Sequence, residues 1–151
     1  MPAISLCGKD TIVINGRILT DFVDGDTAVL TFPNDITEVK TGKNGNSVYA
    51  FKYSGRQFEL VIRLLRGGQD DKFMNGLFSN LVNNPQLFAL MTGQFTKVVG
   101  DGSGNITNDV YALTGLTFKA EPEVKENADG DTNQAVTEWK LKGTNAPRSI
   151  T

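Results

Sequence analysis

A chain of 151 residues suits one domain of ordinary size and can bury about 68–70% of its unfolded surface, enough for a core without metals or disulfides. Fifteen Lys and Arg against seventeen Asp and Glu leave a net charge of −2. That balance excludes the basic excess on which counterion-driven binding to nucleic acid depends, though not a neutral or acidic wall past which DNA slides.

Strand signals dominate the chain. Thr11 to Ile14 is β-branched, and Asn15-Gly16 is a hairpin turn signal before Arg17-Ile18-Leu19. Asp21, Asp24, Gly25 and Asp26 mark a turn. Ala28 to Phe32 is the next strand, stopped by Pro33-Asn34-Asp35. From Thr37 to Ser47 the residues are polar, with Lys40, Lys43, Asn44, Gly45 and Asn46, which predicts an exposed, mobile hairpin loop at about 36–48. Strands follow over Val48 to Tyr53 and Gln57 to Leu65, joined by Ser54-Gly55.

The period then changes. In Gln69 to Asn83 the residues Phe73, Met74, Leu77, Phe78, Leu81 and Val82 recur every three to four positions, so the segment predicts an amphipathic helix. Phe73, Leu77, Phe78 and Leu81 are its expected core face. Asp70 and Asp71 suit the positive end of the helix dipole, and Gly76 weakens the middle by about 1 kcal/mol relative to Ala. Leu87 to Met91 fits either a strand or a helical turn. Gln94 to Val99 is a strand, 100–105 a turn, and Asp109 to Val124 a long strand bent near Gly115 and Pro122. Lys125 to Asn133 reads as a loop, Gln134 to Lys142 as the last strand and Gly143 to Thr151 as a tail. The whole is a single mainly β domain, an antiparallel barrel or sandwich with one flanking amphipathic helix.

Alternation assigns faces. Phe58, Leu60, Ile62 and Leu64 should point to the core, while Gln57, Glu59, Val61 and Arg63 point away. Thr137, Trp139 and Leu141 oppose Val136, Glu138, Lys140 and Lys142, with Trp139 expected in the core and otherwise an interface anchor. Glu59 and Glu138 are candidates for a solvated channel face, a pattern that any half-exposed strand also produces.

Catalytic signatures are missing from the sequence. There is no histidine, which removes Ser-His-Asp and Cys-His nucleophilic sites and the commonest zinc ligand. Cys7 is the single cysteine, so no intramolecular disulfide forms, and it reads as a small residue in an N-terminal arm rather than a reactive thiol. The glycines of 100–104 lie between strands, with no helix to aim at a phosphate. Asp129-Gly130-Asp131-Thr132-Asn133 imitates the start of a calcium loop, but its sixth and twelfth positions are Gln134 and Lys140 rather than Gly and Glu. No cofactor and no metal is expected. No stretch approaches the ~18 apolar residues of a membrane helix, and a cytoplasmic, reducing site of synthesis is expected.

Several stretches together resemble a known family: Phe58-Glu59-Leu60 with Ile62-Arg63-Leu64-Leu65-Arg66-Gly67, the helix opening Gln69-Asp70-Asp71, Tyr111 to Phe118, Gln134 to Leu141, and Ala146-Pro147-Arg148-Ser149-Ile150-Thr151. The chain is similar over its whole length to the tail tube subunits of contractile-tailed phages, specifically the small tube proteins of the KPP10-like type. The resemblance implies a virion structural protein that stacks as hexameric rings into a hollow tube, assembled in the host cytoplasm. It implies a tape measure protein in the lumen before DNA passes through without specific binding, a sheath outside, and terminator and baseplate proteins at the ends. The hairpin loop at Thr37 to Ser47 and the arms at Pro2 to Lys9 and Asn145 to Ile150 would then touch neighbouring rings, with Lys40, Lys43, Asn44, Asn46 and Arg148 as contact candidates. Other ring-forming parts of such machines, a tail terminator or a secretion-tube homologue, remain open. So does a small ligand-binding β-domain or an unrecognised hydrolase.

Overall fold

The computed structural model describes residues 4–6 and 8–151. Met1 to Ala3 and Cys7 lie outside the described residues, so the expectations for Cys7 and for the Pro2 end of the N-terminal arm fall there. The strands are β1 (Ser5–Leu6), β2 (Thr11–Ile14), β3 (Arg17–Ile18), β4 (Ala28–Thr31), β5 (Thr37–Thr41), β6 (Ser47–Phe51), β7 (Phe58–Leu65), β8 (Met91–Gly100), β9 (Ile106–Ala120), β10 (Val136–Gly143) and β11 (Arg148–Ile150). Among the described residues one α-helix, α1 (Gln69–Asn83), follows β7, and two short 3-10 turns lie at Tyr53–Arg56 and Thr132–Ala135.

The sheet runs β3, β2, β8, β9, β10, β7, β4, every pair antiparallel, with β1 beside β8 and β11 beside β9. It forms two halves. The first (β3, β2, β8 and the start of β9) supplies Ile12, Ile14, Leu113 and Leu116 to the core, and the second (the end of β9, β10, β7, β4) supplies Phe58, Leu60, Ile62, Leu64, Trp139 and Leu141. β9 belongs to both. Near its middle Gly115 adopts φ 67°, a conformation costly for a residue with a Cβ, and the register with β8 slips between Met91 and Gly93. The strand bends there and delivers Thr117 and Phe118 to β10.

Among the described residues no pairing joins β3 to β4, so the sheet stays open. A mainly β, antiparallel fold with one packed helix is therefore what forms, a sheet folded over its core rather than a closed barrel. The edges are short, β3 with two residues and β4 with four.

Local chemistry explains the connections. Asn15 (φ 50°) and Gly16 (φ 86°) both take positive φ, the two-residue turn whose twist matches an antiparallel pair, and β2 continues directly into β3. In β7 the expected alternation is complete, with Phe58, Leu60, Ile62 and Leu64 buried. Thr137, Trp139 and Leu141 of β10 are buried in register beside them. Leu87 to Leu90 is neither strand nor helix, and β8 begins at Met91. The stretch read as a C-terminal tail instead contains β11, which pairs Arg148, Ser149 and Ile150 with Tyr111, Val110 and Asp109.

Candidate assembly surface

The helix is held to the sheet by three aspartates. Gly68 at its N-cap has no side chain to cap with, and Asp21, from the segment after β3, takes that role. Its Oδ2 accepts from the N–H groups of Gln69 (3.1 Å) and Asp70 (3.4 Å). Asp70 reaches the other way. Its carboxylate, 1% exposed, accepts from the N–H of Thr20 (2.6 Å) and of Asp21 (2.8 Å) and from Nε of Arg17 (2.9 Å). Burial alone would raise the Asp70 pKa. The N–H donors of Asp21 and Thr20 and the Arg17 guanidinium outweigh it and hold the carboxyl below the ordinary range. Asp71 accepts from the indole Nε1 of Trp139 (2.9 Å), the hydroxyl of Thr137 (3.2 Å) and the N–H of Gly67 (2.9 Å). Asp70 thus ties the helix to the first half of the sheet and Asp71 to the second. From the sequence these two residues read only as dipole partners.

Phe73, Leu77, Phe78 and Leu81 are partly buried against the core, and Met74 is the helix's fully buried apolar residue. Phe78 stacks edge-on against Phe118 at 5.3 Å and lies 5.9 Å from Trp139.

What remains exposed is the candidate functional surface. β5 and β6 form a separate hairpin, and the segment expected to be a loop at 37–47 is mostly paired strand, with its turn at 42–46. All ten strand residues are exposed. Register places Val39 opposite Tyr49 and Thr37 opposite Phe51, so one face carries Val39, Tyr49 and Phe51. Tyr53 adds an edge-on contact to Phe51 at 5.0 Å. Lys40 opposes Val48 on the other face, and Lys43, Asn44 and Asn46 lie at the exposed tip. An isolated two-stranded hairpin is marginal in water. Here one stands with an apolar face uncovered.

The two sheet halves differ in their outward faces. Glu59 and Glu138 share the outward face of β7 and β10, as alternation predicts. Glu59 pairs with Lys119 at 2.9 Å and lies opposite Lys142, while Glu138 lies opposite Arg63. With Lys140 that face holds four cations and two carboxylates. On the other half, register puts Thr11, Val13, Gln94, Thr96, Val110 and Ala112 together on the outward side, none of them ionisable. Arg148 grips Asp109 with two guanidinium nitrogens (2.7 and 2.9 Å) and lies over the Tyr111 ring, which pins β11 to its own sheet. The residues proposed as contacts are thus separated: the lysines and asparagines stand on the hairpin, and Arg148 is engaged within the subunit. Among the described residues no group of three or more His, Cys, Asp or Glu is placed to hold a metal ion. Among the same residues no helix is long and apolar enough to cross a membrane.

No family model matches the chain. No curated protein matches it by sequence. Among solved structures it is similar to a chain of an extracellular contractile injection system, the PVC sheath–tube complex in its extended state, with a TM-score of 0.61 and 9% identity over 96% of this chain and 90% of that one. At that identity the likeness is one of fold, and it spans nearly the whole length of both chains.

Proposed function

We propose that this protein is a structural subunit, not an enzyme, that polymerises as stacked rings into the hollow tube of a contractile tail or injection device. The observation that carries the reading is the β5–β6 hairpin, projecting with Val39, Tyr49 and Phe51 uncovered from a domain whose fold is shared with a chain of a sheath–tube complex. A monomer has no use for such an element, while a neighbouring copy gives it a surface to bury. The open sheet edges at β3 and β4 point the same way, since unpaired strands invite pairing across subunits.

In a phage the rings are hexameric, a sheath surrounds them, a tape measure protein occupies the lumen, and DNA follows it. Terminator and baseplate proteins close the two ends of the assembly. A wall that conducts a polyanion must not grip it. Of the two outward faces, the uncharged one around Gln94 and Thr96 meets that requirement better than the cation-rich one that carries Glu59 and Glu138. Negative-stain and cryo-electron microscopy of the concentrated protein test all of this. Hollow tubes are expected, with Gln94 on the inner wall; deletion of Lys40 to Asn46 should yield a folded subunit that stays single. Lone particles at every concentration would refute the assembly, and a reconstruction with Glu59 and Glu138 on the wall would reverse the choice of face.

A further inference from the structure

We propose that Asn44 is a site of spontaneous deamidation, singled out by the fold from Asn-Gly pairs that are alike in sequence. The inference stands on the geometry of the β5–β6 hairpin and holds whether or not copies polymerise.

The reaction needs no reagent beyond water. The backbone nitrogen of Gly45 loses its proton to solvent and bonds to Cγ of Asn44. The Cγ–Nδ2 bond breaks, Nδ2 takes up a proton and leaves as ammonia, and a cyclic imide remains. Water then opens the imide at one carbonyl or the other, giving aspartate or isoaspartate. Glycine is the most favourable following residue, because no Cβ shields its nitrogen. The pair occurs at Asn15-Gly16, Asn44-Gly45 and Asn75-Gly76, and every one of these residues is exposed. Exposure therefore does not rank the sites. Freedom of the backbone does, since ring closure requires the Asn to rotate ψ away from its native value.

Asn75 and Gly76 lie inside α1, where the helical hydrogen-bond ladder fixes the backbone and the adjacent Met74 is fully buried. Asn15 turns between two strands of the main sheet. Its N–H donates to the carbonyl of Thr92 at 2.7 Å, and Ile14 before it and Leu19 beyond it are in the core. Opening either site drags buried side chains with it.

Asn44 has neither anchor. Its hairpin pairs only with itself, and all the strand residues are exposed. The N–H of Gly45 donates to the carbonyl of Gly42 at 3.0 Å, and the N–H of Gly42 to that of Asn46 at 2.7 Å. Both bonds lie within the turn, so breaking them disturbs no packed side chain. The N–H of Asn46 faces Oδ1 of Asn44 from 3.5 Å, and that oxygen gains negative charge when Gly45 attacks. Either product places a carboxylate on a tip that otherwise carries Lys40 and Lys43, and isoaspartate also lengthens the main chain within the turn.

The test holds the native full chain at mildly alkaline pH and samples it over time. Trypsin puts the sites on separate peptides, 10–17, 44–52 and 73–97, and mass spectrometry follows each. A zero-time digest subtracts conversion caused by digestion itself. Peptide 44–52 should acquire the acidic product at least about tenfold faster than either of the others, a factor that a modest difference in local opening supplies. In urea, where no fold ranks the sites, the rates should converge to within a few-fold. Asn44→Gln should fold as the wild type does and lose the early acidic band on isoelectric focusing. The inference is overturned if peptide 10–17 or 73–97 converts as fast as 44–52 in the native protein. It is equally overturned if the ranking persists in urea, or if Asn44→Gln keeps the band.

Discussion

Asp71 shows how much one carboxylate can carry. Trp139 and Thr137 are nearly fully buried, at 2% and 3% exposure, and their Nε1–H and hydroxyl both donate to it. Removing the acceptor strands two polar groups in a site closed to water, the costly case for hydrogen bonds. Asp71→Ala should therefore lose about 1–3 kcal/mol of stability in urea unfolding; a change within error would show that the helix is held by apolar packing alone. Asp70 makes a pH-dependent contribution. Its carboxyl is held below the usual range in the folded protein, so its stabilisation is complete above the unfolded value of about 3.9 and fades as pH falls through the lower folded one. The gap in urea midpoint between wild type and Asp70→Asn should thus be constant from neutral pH to about 5 and narrow below about 4. An unchanged gap at pH 3 would contradict the assignment. Neither role was legible in the sequence. Acid in the first turn of a helix has a sufficient local explanation in the dipole, and the partners lie about 50 and 68 residues away in the chain.

Elements were readable where a period was sustained. β7 alternates over eight residues and α1 repeats over fifteen, and both lie where the pattern puts them. The expected core face of Phe73, Leu77, Phe78 and Leu81 left out Met74, and packing orders these positions differently. Met74 is fully buried beneath the sheet, while Leu77 and Leu81 keep partial access to solvent. Met74→Asp should abolish cooperative unfolding, since a lone charge in the core can consume most of the 5–15 kcal/mol that holds an average domain together. Leu77→Asp should cost less, about 1–3 kcal/mol, and leave a folded protein. Equal effects by circular dichroism melting would show that the helix is rotated from the register described. The hairpin was misjudged in the opposite sense. Thr, Lys, Gly and Asn between 37 and 47 read as loop because polar residues on both faces hide alternation. The strands are nonetheless paired in register over five residues each. β11 was missed because three residues cannot show a period, and Arg148-Ser149-Ile150 is strand only because β9 extends alongside it.

At the scale of the molecule, composition and alternation gave the class, and the order of strands came from the structure. Nothing in a linear pattern says that β7 lies between β4 and β10 or that the two halves meet on β9. The likeness to a sheath–tube chain at 9% identity makes the same point, since an arrangement of strands can persist where side chains do not. The shared strand has a mechanical implication. β9 is bonded to β8 along its first part, and on its other flank to β11 and then β10, so its backbone runs unbroken through both halves. A pull along that strand loads many backbone hydrogen bonds in shear at once, where a seam between separate sheets would yield them one by one. Tension along the subunit is thus carried from one half to the other through a single continuous backbone.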